Sequence, residues 1–157
     1  MPELTRKAHS LIVGFVLVLF LCLFSCGKSG EPVGSGAPEP KSLWARHATQ
    51  TYIIEQARSC FCPGSYGFVR LTVVNNKIVK GTDSNSNDTL TIAELKRYKT
   101  IDELFEFVEW AEECEPDILQ VEYDPIFGYP RNVFVDSHLD MTDEQIGFDT
   151  RLVKLFP

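Results

Sequence analysis

Between residues 43 and 157 the apolar positions recur in two rhythms, one helical and one of period two. The helical rhythm is clearest in T-I-D-E-L-F-E-F-V-E-W-A-E-E-C, Thr100 to Cys114. Ile101, Leu104, Phe105, Val108 and Ala111 fall on one face, and Phe107, Trp110 and Cys114 widen it. Asp102, Glu106, Glu109 and Glu113 cover the other face. Thr100 and Glu103 have the spacing of a capping box, and Pro116 stops the helix. A shorter helix is predicted over Leu43 to Gln50, with Ser42 as its cap. The β-formers T-Y-I-I open a strand over Thr51 to Ser59, although a continued helix also fits this stretch. Phe68 to Val74 and Ile78 to Lys80 flank Asn75-Asn76-Lys77. Asn tolerates positive φ, so the two runs read as a tight hairpin. Leu119, Val121 and Tyr123 then alternate with Gln120, Glu122 and Asp124. Further strands are expected over Asn132 to His138 and over Glu144 to Phe156. Strands in adjacent runs with separate helices predict an α+β fold: an antiparallel sheet of five to six strands with two helices packed on one face.

The pattern before residue 43 has no such rhythm. Arg6 and Lys7 precede Leu11 to Phe24, a run of 14 residues without charge. A spanning helix needs about 20 apolar residues, so the run suits the apolar region of an export signal. It ends in L-F-S-C, Leu23 to Cys26, which resembles the lipobox of bacterial lipoproteins. That resemblance implies cleavage after residue 25 and a diacylglyceryl thioether on Cys26, with acyl chains such as palmitate. Phe24 is bulkier than the residue usual at its place. An ordinary secretory signal or a short uncleaved anchor is the alternative. Gly27 stands where an Asp in these lipoproteins retains the protein at the inner membrane. In a Gram-negative host the outer membrane is therefore implied, facing the periplasm or the cell surface. Residues 26 to 42 then comprise the lipidated Cys and a Gly-, Pro- and Ser-rich tether reaching about 20 Å. Residues 43 to 157 form one globular domain.

Charge narrows the partners. The chain carries a net charge of -7. Losing residues 1 to 25 removes one acid (Glu3) and two bases (Arg6 and Lys7), which makes it -8. An acidic domain repels nucleic acid and anionic lipid surfaces, so membrane contact is expected only through the lipid anchor. Six of the 22 acids lie on the long helix, where a solvated face accounts for them.

C-F-C-P at Cys60 to Pro63, T-I-D-E-L-F at Thr100 to Phe105, Y-D-P-x-x-G-Y-P at Tyr123 to Pro130 and the pair Asp143-Glu144 occur in that order. Together they resemble an uncharacterised domain-of-unknown-function family of small bacterial lipoproteins. The likeness covers nearly all of residues 44 to 155. Ile54 stands where a second Tyr often follows Tyr52, and Cys114 is not a position of the motif. The resemblance implies an envelope lipoprotein and carries no chemistry with it.

Four constellations can be weighed as sites. In Y-D-P-I-F-G-Y-P each residue has a turn or packing role, which outweighs a binding loop. Asp136, His138, Asp140, Asp143 and Glu144 form a mixture that could ligate a divalent cation, although a polar strand end accounts for it better. A metal-dependent enzyme built on Asp136, His138 and Asp140 is thus an alternative function, although no nucleophile or paired base accompanies them. Asp83, Asn85, Asn87 and Glu94 match positions 1, 3, 5 and 12 of a Ca²⁺ loop, with Asp88 in place of the turn Gly. The last constellation is Cys60, Cys62 and Cys114, the cysteines left after Cys22 and Cys26. Zinc would want a fuller ligand set, and exchange-active pairs usually come as C-x-x-C. An exported chain favours a disulfide. Loop entropy favours Cys60 or Cys62 bonded to Cys114, a closure stabilising by about 4 kcal/mol. The family resemblance favours the Cys60–Cys62 bond. The expectation is a tethered, non-enzymatic binding or structural domain without a cofactor, serving an envelope protein or component. Disulfide exchange through Cys60 and Cys62 is a further alternative.

Overall fold

The computed structural model describes residues 39–47, 50–62, 67–141 and 143–156. The signal segment, Cys26, the tether up to residue 38 and the Pro63-Gly64 turn lie outside the described residues. The compact unit is Pro38–Pro157.

Among the described residues, three helices and six strands run α1 (Pro40–His47), β1 (Tyr52–Cys60), β2 (Val69–Val74), β3 (Lys77–Asp83), α2 (Ile92–Leu95), α3 (Ile101–Glu113), β4 (Ile118–Tyr123), β5 (Pro130–Asp136) and β6 (Ile146–Leu155). The strands form one antiparallel sheet in the order β3-β2-β1-β6-β5-β4. Two three-stranded meanders are thus joined through their first and last strands, β1 and β6, at the centre. The α+β class and the strand number expected from the sequence are met.

Local chemistry explains most boundaries. Asn75 and Asn76 adopt φ of 50° and 55°, closing β2 onto β3 as a two-residue hairpin. Thr100 and Glu103 form the expected capping box on α3. Ile101, Leu104, Phe105, Val108 and Ala111 are its buried residues. Tyr52 adds a tertiary cap, its hydroxyl accepting from the Ile101 amide at 3.0 Å. Burial raises the Tyr52 hydroxyl far above its ordinary pKa, so it stays neutral.

Several boundaries depart from the pattern. The first helix begins at Pro40, so Pro40 to Ser42 are helix and not tether. Pro suits a first helical position, and the Ser42 hydroxyl donates to the Glu39 carbonyl instead of capping. Trp110 is 53% exposed and Cys114 is exposed, so neither widens the buried face of α3. Phe107 is half-buried, edge-on to Phe148. β5 stops at Asp136 and does not reach His138. The four-residue α2 was not expected; Thr91 and Glu94 cap it.

The core falls into two clusters. One gathers Trp44, Tyr52, Ile54, Val69, Leu71, Val73, Tyr98, Ile101, Phe105 and Tyr129. The other holds Val108, Ala111, Val133 and Val135. Both contain alternate strand residues together with residues of α3. Gln56 and Thr150 are fully buried polar residues on β1 and β6, bonded to each other at 3.0 Å.

Candidate functional site

β1 is a central strand, hydrogen-bonded to β2 on one side and to β6 on the other. Its last paired residue is Cys60, opposite Ile146. There the chain leaves the sheet through Phe61, which is 84% exposed, and reaches Cys62. The sulfurs of Cys60 and Cys62 sit at disulfide distance, with Cα atoms 5.3 Å apart. Cys114, the C-cap of α3, is an exposed free thiol. The alternative staple from β1 to α3 is therefore not the pairing in this structure.

Arg58, two residues before Cys60, directs its Nη1 to Cys62 Sγ at 3.2 Å. Phe148, buried on β6, is its neighbour across the ladder. A shallow cleft of about 150 Å³ beside this strand end is lined by Ala57, Arg58, Ser59, Asn132, Phe134 and Asp149, among others. The sequence pattern did not single out Arg58. The only available signal was a cation four residues from a cysteine at a strand end, which has many innocent explanations.

Elsewhere the expected residues are placed as follows. Asp83 Oδ1 accepts from the amides of Asn85 and Ser86, both at 2.8 Å. Those amides hold its carboxyl below the usual range. Glu94 Oε2 accepts from the Thr91 amide and hydroxyl, both at 2.7 Å. Asn87 has φ of 62°. The spacing that mimics a Ca²⁺ loop is thus a side-chain turn followed by a capping box. Each carboxylate is engaged with its own backbone neighbourhood.

The acids and the histidine divide between a buried and an exposed setting. Asp136 is 3% exposed; its Oδ2 accepts from Gln145 Nε2 at 3.1 Å, and its Oδ1 has no partner. His138 is exposed, with Nδ1 at 2.7 Å from Glu144 Oε2. That bond, more than any other influence, raises the imidazole above its ordinary pKa. Asp140 is exposed. Among the described residues no three His, Cys, Asp or Glu side chains converge to hold a metal ion.

The Y-D-P-I-F-G-Y-P segment is built as a turn. Asp124 Oδ1 accepts from the amides of Ile126 and Phe127 at 2.9 and 2.8 Å. Gly128 has φ of 77°, and a Cβ there would lie 2.3 Å from the Pro40 carbonyl oxygen. The turn is therefore held against α1. The buried Tyr129 hydroxyl accepts from the Leu152 amide at 3.1 Å, beside the register shift where β6 meets Ile53 and Ile54.

A six-stranded antiparallel sheet with its first and last strands paired at the centre, and a C-x-C pair where β1 ends, defines a small α+β domain. The chain belongs to the family of unknown function DUF6174, which matches residues 38–155. The resemblance expected from the sequence is met at the level of that family. No curated protein and no solved structure matches the chain.

Proposed function

We propose that this chain is a lipid-anchored protein of the bacterial envelope whose folded unit serves as a binding or structural domain. One observation carries the reading: L-F-S-C closes a 14-residue uncharged run behind Arg6 and Lys7, with a polar Gly/Pro/Ser segment after it. Each buried acyl CH₂ adds about 0.8 kcal/mol, so several chains on Cys26 make a lasting anchor. We also infer that the helices share one face of the sheet, since Trp44, Leu95, Ile101 and Phe105 pack with Tyr52, Ile54 and Leu71. Alternate residues such as Glu55, Ala57, Ser59, Asn132, Phe134 and Asp149 then line an open face. Antiparallel sheets tolerate such one-sided covering, and the exposed side is where a partner would lie. The metal-dependent alternative has no observation in its favour, because Asp136 and His138 face different environments.

Metabolic labelling of a bacterial host with an alkyne-tagged palmitate tests the anchor. Wild-type chain is expected to take up label and to sediment with membranes. Cys26→Ser is expected to lose the label and to leave the washed membrane fraction. Unlabelled wild type, or a labelled Cys26→Ser variant, overturns the reading.

A further inference from the structure

We propose that Cys60 and Cys62 form a disulfide that exchanges with the thiols of a partner protein, with Arg58 stabilising Cys62 as the released thiolate. The inference stands on the residues at the end of β1 and does not depend on lipidation.

Three observations carry it. The two sulfurs sit at disulfide distance just where β1 ends, and the half-buried cysteines flank an exposed Phe61. An incoming thiolate can therefore approach without unfolding the sheet. The Arg58 guanidinium donates to Cys62 Sγ at 3.2 Å. Arg stays protonated at all relevant pH, and a neighbouring cation favours the thiolate over the thiol. A neutral disulfide sulfur gains far less from the same cation. The contact therefore weighs on the reduced state and makes the couple more oxidising. Finally, it is Cys62 Sγ that the guanidinium contacts. The better stabilised thiolate is the better leaving group, which gives the exchange a direction.

In the first step a partner thiolate attacks Cys60 Sγ. The Cys60–Cys62 bond breaks, its electron pair stays on Cys62 Sγ beside Arg58, and a partner–Cys60 mixed disulfide forms. In the second step another thiolate of the partner attacks the partner's own sulfur in that bond. Cys60 leaves as a thiolate and takes a proton from water. The partner dithiol has lost two electrons to the Cys60–Cys62 pair. The substrate class is thus a protein dithiol, and re-oxidation needs an external disulfide or oxidant of the envelope.

The full chain, purified in detergent from an oxidising compartment, is equilibrated with reduced and oxidised glutathione, quenched in acid and alkylated. Peptide mass spectrometry then reads each sulfur, with Cys114 as the internal free-thiol reference. The pair is expected to be oxidised at the outset and to be reduced within the range of the glutathione buffers. In chains quenched midway the glutathione adduct should lie on Cys60. Arg58→Met should raise the ratio [GSH]²/[GSSG] at half-reduction about tenfold, while Arg58→Lys keeps most of the wild-type value. Label on Cys60 and Cys62 at the outset, a bond untouched by glutathione, or adducts on Cys62 overturn the proposal. So does an Arg58→Met midpoint equal to wild type. Should Arg58→Met not fold, the wild-type adduct position and midpoint still decide.

Discussion

Gln56 is fully buried, and its amide clamps the backbone of one residue of the loop before α3. Its Oε1 accepts from the Lys99 amide at 2.9 Å, and its Nε2 donates to the Lys99 carbonyl at 3.2 Å and to Thr150 Oγ1 at 3.0 Å. One side chain on the central strand thereby fixes the entry to the main helix and tethers β6. Gln56→Leu keeps the approximate volume but strands an amide, a carbonyl and a hydroxyl. A buried polar group left without its partner costs about 1–3 kcal/mol. Lys99 is half-buried, so water recovers part of its share. We expect a net loss of about 3 kcal/mol, a large fraction of the 5–15 kcal/mol typical of a folded domain. Urea unfolding of the unit Pro38–Pro157, followed through buried Trp44, measures it as a fall in midpoint at constant slope. Thr150→Val should cost less in the Gln56→Leu background than in wild type, by about 1 kcal/mol, because the shared bond is already gone. A Gln56→Leu loss below about 1 kcal/mol, or strict additivity with Thr150→Val, would falsify the reasoning.

Tyr129→Phe removes the acceptor of the Leu152 amide and should cost about 1 kcal/mol in the same unfolding assay; no change would show that water replaces it. Thr100→Ala removes the side-chain half of the α3 capping box and should cost about 1 kcal/mol, with loss of helical circular dichroism as the check. His138 is raised by its bond to Glu144, with Asp117 and Asp136 adding to the effect. Its contribution to stability is present below the pKa of the unfolded chain and fades as pH rises through the folded one. An NMR titration of Glu144→Gln should find the His138 midpoint lower than in wild type, and an unmoved midpoint refutes the pair.

What could be read from the chain depended on whether its signal was local. The capping box at Thr100, the i, i+3, i+4 spacing of α3 and the Asn75-Asn76 hairpin act within a few residues, and each stands where the pattern put it. Residues 83 to 94 show where local reading leaves several outcomes open. A carboxylate at the first and last positions of a twelve-residue stretch fits a Ca²⁺ loop, a side-chain turn and a helix cap equally well. Only the backbone partners of Asp83 and Glu94 distinguish them. Trp110 failed for the opposite reason. Helical phase put it at the margin of the apolar face, and whether a margin is covered depends on neighbours that the phase cannot name. Gln56 and Arg58 were silent because their roles are defined by groups 43 and 94 positions away in one case, and by a sulfur beyond the strand end in the other.

The choice of cysteine partner bears on what the bond is for. A link from β1 to Cys114 would close about 50 residues and contribute about 4 kcal/mol by loop entropy, which suits a permanent staple. A link from Cys60 to Cys62 closes only the residues around Phe61, worth about 1.5 kcal/mol on the same relation. The sheet does not need that bond to set its register. Nine paired positions already join β1 to β6, and the hairpin and the Gln56 clamp lie on other parts of the fold. A disulfide whose opening costs the fold so little can be reduced and reformed while the domain stays intact. The free, exposed Cys114 shows that a thiol is carried on α3 without being drawn into the pair. Placement at the end of a central strand then supplies what exchange requires: a rigid base for Cys60 and Arg58, and a chain leaving the sheet for Cys62 to ride on.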